Sequence, residues 1–231
     1  MSKTHSEPTG SIADSQIGNS HFFNEVDLQI ERFSDARLLE RVDQGNIDLS
    51  HYHLILTTLF HQTLSSPYTF ARAAANCSWK YEAAKEYLLR HAEEERTHWR
   101  WVLDDLKATG YSGPDPRNQP PHLATQAYIS LNYYVAETLP VARLAMAAVL
   151  EGIGAAHGAQ YGKKMLGTLR LAKAQASFFL SHAETDKVHT AEIRAILDAC
   201  PLSSEDWRGM TYFARAAGTF YRSMYDHEGF R

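Results

Sequence analysis

Histidine and carboxylate occur twice at helical spacing in this sequence, as Glu95-x-x-His98 and as His182-x-x-x-Asp186-x-x-His189. Between them stands Glu151, the sole charged residue from Leu144 to Ala156. Imidazole and carboxylate together suit iron or a similar first-row divalent ion. Three carboxylates among six candidate ligands balance the charge of two such ions better than one.

The elements that carry these residues read as helices, and the candidate ligands interrupt apolar stripes. Each helical residue advances by about 100°, so His182, Asp186 and His189 lie within roughly 60° of one another. Continuing that face gives Phe178 upstream and Ile193 and Leu197 downstream. The same walk through the earlier motif passes Leu88, His91, Glu95, His98, Val102 and Leu106, apolar at both ends and ionisable in the middle. Glu151 follows Val141, Leu144, Met146, Val149 and Leu150 and precedes Ile153. An ionised carboxylate in such a setting is costly unless a cation or metal compensates it. Gly152, Gly154, Ala155, Ala156 and Gly158 beside it serve either close helix packing or room for a substrate. Taken alone, Glu93-Glu94-Glu95-Arg96 reads as solvated surface charge. Together with HxxxDxxH and Glu151, on three helices, it points to a shared metal centre.

The chain is 231 residues long and 44% hydrophobic, enough for one substantial core. Residues 1–20, rich in Ser, Thr, Gly and Pro, read as a disordered tail without the apolar core of a signal peptide. Residues 21–231 read as a single all-α domain. A first apolar stripe (Leu28, Ile30, Phe33, Leu38, Leu39) ends near Gly45. Ser50 is the expected cap of a second helix, interrupted or kinked at Pro67 and ending near Cys77. A third runs from Trp79 to Ala108 and is followed by a Pro- and Gly-rich loop. A fourth, from Leu123 to Leu169, bends at Pro140; a fifth, from Leu171, stops at Ala199; Ser203 or Ser204 caps a last one towards Tyr225.

A formal charge of −4, with basic residues scattered among acids, argues against nucleic-acid capture and for a small-molecule substrate. Cys77 and Cys200 are too few for a disulfide framework, and no stretch approaches a membrane span, so a cytoplasmic protein that engages no membrane is expected.

Two helical architectures gather such ligands. The ferritin-like one needs a carboxylate on the helix before Glu-x-x-His, yet no Asp or Glu occurs between Leu49 and Tyr81, and His182 would have no role there. The second fits better. On His91-Ala-Glu-Glu-Glu-Arg-Thr-His98-Trp, the isolated Glu151 and His182-Ala-Glu-Thr-Asp186-Lys-Val-His189, the chain resembles the haem-oxygenase-like diiron oxidases and oxygenases, iron-containing redox enzymes of the TenA/PqqC-like fold. The resemblance covers about residues 21–231 and implies a helical bundle of about six to seven core helices.

It further implies that Glu95, His98, Glu151, His182, Asp186 and His189 hold two Fe(II), with manganese as the alternative metal and O₂ as co-substrate. The implied reactions are oxidative C–C or C–N cleavage, or N-oxygenation, of a small amino acid, amine or fatty-acid-like compound, in a homodimer. Some members place a glutamate seven residues before the helix-three histidine; here that position is His91, left as a group that contacts a ligand residue or the substrate. Glu94 is a rival to Glu95. Asp105 orients an imidazole or is an exposed acid. Tyr68, Tyr81, Tyr128, Tyr133, Tyr134 and Tyr161 line an aromatic pocket or belong to ordinary packing. Arg143 and Arg170 are candidate carboxylate binders, while Arg208, Arg215 and Arg222 mark a solvated face. The competing functions are a metal-independent TenA/PqqC-like enzyme, one using a pocket cysteine, and an iron-binding or regulatory protein without turnover.

Overall fold

Helix starts and stops in this chain are set by side chains that satisfy exposed backbone groups. In the computed structural model, which describes the backbone of residues 12–230 and the side chains of 16–182 and 185–230, every regular element among the described residues is helical. The first helix, α1 (Ile12–Phe33), begins nine residues before residue 21, the expected start of the domain. Residues 12–20, expected to be part of a tail, are therefore helical; residues 1–11 lie outside the described residues. Contact with the last two helices explains the extension. Gly18 packs so closely on Trp207 that an added Cβ would sit 2.8 Å from it, and Asn19 donates to Asp198 at 2.9 Å. Farther along, Arg215 donates to the buried Glu25 and holds that carboxyl below its ordinary range.

The first stripe is divided between α1 and a short α2 (Arg37–Asp43), closed at Gly45, whose φ of +65° favours glycine. Asp48, not Ser50, caps α3 (Leu49–Asn76), accepting from the His51 backbone at 3.0 Å. The interruption expected at Pro67 is absent: α3 continues through it, with the proline buried and α4, α5 and α6 packed along the helix. The expected third helix is two, α4 (Glu82–Glu95) and α5 (His98–Ala108), joined by Arg96 and Thr97.

Beyond the proline-rich loop, α6 (Leu123–Thr138) turns at Pro140 into α7 (Arg143–Ile153), as the sequence suggests. The chain then makes a π-helical turn, Gly154–Gly158, before α8 (Ala159–Leu169). Such single π turns are frequent at functional sites because they redirect the side chains on either side. After α9 (Ser177–Ala199), Ser203 caps α10 (Ser204–Ser223) by accepting from the Asp206 backbone. Helix α7 lies at the centre, packed against α1, α9 and α10, which is why nearly every one of its residues is buried. No helix among the described residues is long and apolar enough to cross a membrane.

Asp105 is neither an exposed acid nor an imidazole partner. It is fully buried on α5 and accepts from the backbone of Ser177 (2.9 Å) and Phe178 (3.0 Å) and from the Ser177 hydroxyl (2.7 Å). It therefore caps the start of α9 from a neighbouring helix, satisfying donors that have no partner within α9 itself. Asp105→Ala is expected to lower stability by about 1–3 kcal/mol, the cost of leaving buried donors unpaired. Thermal unfolding reads this directly, and an unchanged midpoint would show that the cap contributes nothing.

Candidate metal centre

Four helices, α4, α5, α7 and α9, deliver the candidate ligands to one buried place. Glu95 ends α4 and His98 begins α5, so the break at Arg96 and Thr97 falls inside the motif. The two side chains still meet: His98 Nδ1 lies 3.0 Å from Glu95 Oε1. His182 on α9 completes this group, its Nε2 3.1 Å from His98 Nδ1. Its other nitrogen, Nδ1, donates to the Phe178 carbonyl at 3.1 Å. That bond selects the neutral tautomer and leaves the Nε2 lone pair facing Glu95 and His98, the state a metal requires. Burial also lowers the His182 pKa. Trp101 stacks on His98 at 4.3 Å and Phe178 on His182 at 4.0 Å, so both rings are held by aromatic walls.

Glu151, Asp186 and His189, all buried, form a second group whose ligand atoms lie within 4.8 Å of one another. His189 Nδ1 sits 3.3 Å from Glu151 Oε2. Burial would raise the Glu151 carboxyl, but the contacts from His189 and His91 outweigh it and hold the group well below the carboxylate range. Asp186 moves the other way, raised by burial and by the charge of Glu151, with which it shares a hydrogen bond. Two acids this close do not both ionise without a cation between them. Gly154 makes the arrangement possible: a Cβ there would stand 1.8 Å from Asp186 Oδ2. The glycines therefore divide, Gly154 serving close approach and Gly158, with nothing within 4 Å, leaving open space.

His91 has a larger place than the sequence reading gave it. It is fully buried, its Nδ1 3.2 Å from the Tyr87 hydroxyl and its Nε2 3.4 Å from Glu151 Oε1. That Nε2 has no hydrogen-bond partner. Its ring meets that of His189 edge to face at 4.4 Å. Glu94, exposed over much of its side chain, reaches His189 Nε2 at 3.3 Å, so that His91, Glu94 and His189 also gather as possible ligands, while Glu93 pairs with Arg96 at the surface. His91 lies on the same helical stripe as Glu95, which is the signal the sequence held; only packing shows that it reaches Glu151.

Glu95, Glu151, His182 and Asp186 all line one cavity. The tyrosines on its wall are Tyr161, Tyr221 and Tyr225. Tyr68, Tyr133 and Tyr134 are largely exposed, and Tyr81 and Tyr128 are buried away from the cavity. Neither candidate arginine reaches it: Arg143 is buried over the Phe70 ring at 3.7 Å, and Arg170 is an exposed residue with positive φ at the end of α8. Arg208 and Arg215 are exposed and Arg222 is half-buried. Cys77 and Cys200 are buried elsewhere, and burial pushes the Cys77 thiol up to about 11, so neither supplies a nucleophile to this cavity.

The residues present fit a metal. Nitrogen and carboxylate donors converge in two buried groups, His91 Nε2 is left without a hydrogen-bond partner, and a cation between Glu151 and Asp186 would let both acids ionise. A match to the family of iron-containing redox enzymes spans residues 53–218, most of the fold and every candidate ligand. The chain belongs to that family.

Its fold recurs in solved structures. A domain of unknown function with a haem-oxygenase-like fold from Shewanella denitrificans OS217 superposes with a TM-score of 0.80 at 21% identity, over 90% of each chain. A TenA homologue from Pseudomonas syringae pv. tomato DC3000 gives 0.72 at 15% identity, over 96% of this chain and 97% of that one. Haem oxygenase from Leptospira interrogans gives 0.64 at 14%, over 90% and 98%. These likenesses establish a haem-oxygenase/TenA-like fold, as the sequence motifs suggested. No curated protein matches the chain.

Proposed function

We propose that this iron-containing redox enzyme is a non-haem diiron oxidase or oxygenase that uses O₂ to oxidise a small amino acid, amine or fatty-acid-like substrate. The observation that carries this reading is the gathering of Glu95, His98 and His182, and of Glu151, Asp186 and His189, into two groups, of which Glu95, His182, Glu151 and Asp186 line one cavity. Two iron ions held there would supply the electrons that reduce O₂.

The chain's own residues do the remaining work. His98 and His182 are fixed anchors, clamped by aromatic stacking and, for His182, by the Phe178 carbonyl. The carboxylates of Glu95, Glu151 and Asp186 would supply the negative charge that offsets that of the two ions. Glu94 orients His189 from outside, and Tyr87 orients His91, partners that ordinarily tune a ligand's basicity and direction. Aromatic and aliphatic walls keep bulk water from the reacting groups.

Anaerobic titration of metal-free protein with Fe(II) should show uptake of two ions per chain, and admission of air should then give a transient visible absorbance by stopped flow. Absence of iron uptake would end this reading. Iron uptake with no oxygen consumption, with any candidate substrate, would favour an iron-binding protein instead.

A further inference from the structure

Of the three groups of possible ligands among the described residues, one has an exposed member. Glu94, grouped with His91 and His189, has 43% of its side chain open to solvent. The group sits at the seam between α4, which carries His91 and Glu94, and α9, which carries His189. Both of its imidazoles face two ways. His189 has Nε2 3.3 Å from Glu94 Oε2 and Nδ1 3.3 Å from Glu151 Oε2. His91 has Nδ1 3.9 Å from Glu94 Oε2, and its unpartnered Nε2 lies 3.4 Å from Glu151 Oε1. The two side chains therefore span the gap between a carboxylate at the surface and one at the buried centre. A divalent ion that sheds its water in the interior needs compensation at every depth, and an ion beside Glu94 has its next donors on these same two rings.

The cavity offers a poorer way in. Apart from the candidate ligands, its polar wall consists of hydroxyls, the Gln62 amide and His157, with no further carboxylate among the described residues. Asp43, which accepts from the Tyr161 hydroxyl at 3.0 Å, is already paired with Lys164. Glu94 is less fully compensated. Arg90 lies 3.6 Å from it but 2.9 Å from Glu192, so two acids share one cation and net negative charge is left for an incoming ion.

We propose that His91, Glu94 and His189 form the entry site for metal: Glu94 captures a divalent cation from solvent, and the two imidazoles pass it to Glu151 and Asp186. This assignment rests on the metal centre of the proposed function and is independent of what that centre does with O₂.

The test is stopped-flow uptake of Co(II) by the metal-free full chain, followed by visible absorbance, together with its removal by excess EDTA. An entry site speeds passage in both directions, so Glu94→Gln should slow uptake and removal alike, each by about tenfold or more. The amide keeps an oxygen that can accept from His189 and lacks only the negative charge, which separates capture of a cation from orientation of the ring. Glu93→Gln should match wild type, because Glu93 pairs with Arg96 at the surface. Added salt should slow uptake by wild type more than by the Gln variant. Faster removal with unchanged uptake would overturn the proposal, since Glu94 would then only strengthen His189 as a ligand. Equal rates for Glu94→Gln and wild type would overturn it too. Co(II) exchange that follows the expected pattern, in a protein that consumes no oxygen when loaded with Fe(II), would end the oxidase reading and leave the entry site standing. No metal uptake by wild type would end both.

Discussion

Replacing Glu151 with alanine lowers Fe(II) uptake below two ions per chain and removes reaction with O₂, while helical content stays at the wild-type level. Glu151 is the carboxylate that touches both His91 and His189, hydrogen-bonds Asp186 and lines the cavity with Glu95 and His182. Losing it opens one metal position directly and removes the charge that lets its neighbours face each other. The expected loss of affinity at the position it leaves is at least a hundredfold, given that about 10- to 100-fold is typical when only a residue behind a ligand is removed. His189→Ala should behave in the same way. Glu93→Ala is the control, because Glu93 points to solvent and pairs only with Arg96. Anaerobic Fe(II) titration with circular dichroism checks all three, and equal losses in Glu93→Ala and Glu151→Ala would mean that the helical faces are misassigned.

The sequence carried the site further than it carried the backbone around it. HxxxDxxH and a lone glutamate in an apolar run are legible because burying charge is costly enough that such residues need compensation. Helix α9 is one continuous helix, so spacing translated directly into a shared face. The Glu95 motif was found for a reason that holds only locally. Its two residues belong to different helices, and nothing in Arg96-Thr97, neither glycine nor proline, announces the break. The π turn after Glu151 is invisible for a similar reason: apolar periodicity does not separate it from an α-helix through a run of small residues.

Roles that depend on a distant partner were the least legible. Asp105 beside Asp104 looks like a surface acid, yet it is fully buried because the backbone of Ser177 and Phe178, more than seventy residues on, needs an acceptor. Tyr221 and Tyr225 reach the cavity from α10 and the turn after it, whereas exposed Tyr68, Tyr133 and Tyr134 do not. His91 was visible as a member of the right stripe, but its orphaned nitrogen beside Glu151 is a fact of packing.

Gly154 is where stability and metal binding should separate most sharply. Its backbone is helical, so alanine is compatible with the local conformation and carries a helix preference of up to about 1 kcal/mol over glycine. The added methyl would nevertheless fall 1.8 Å from Asp186 Oδ2 and 2.8 Å from its Cγ, and the carboxylate must swing away from Glu151 and His189 to admit it. Gly154→Ala is therefore expected to leave the unfolding temperature of the metal-free protein near or above wild type while reducing bound Fe(II) from two ions to one. The group of Glu95, His98 and His182 does not depend on Asp186 and should still bind. Thermal unfolding beside anaerobic Fe(II) titration separates the two effects. A protein that retains both ions at wild-type affinity would show that Asp186 is not required at the second position, and one that loses both would show that the two groups bind as a single unit.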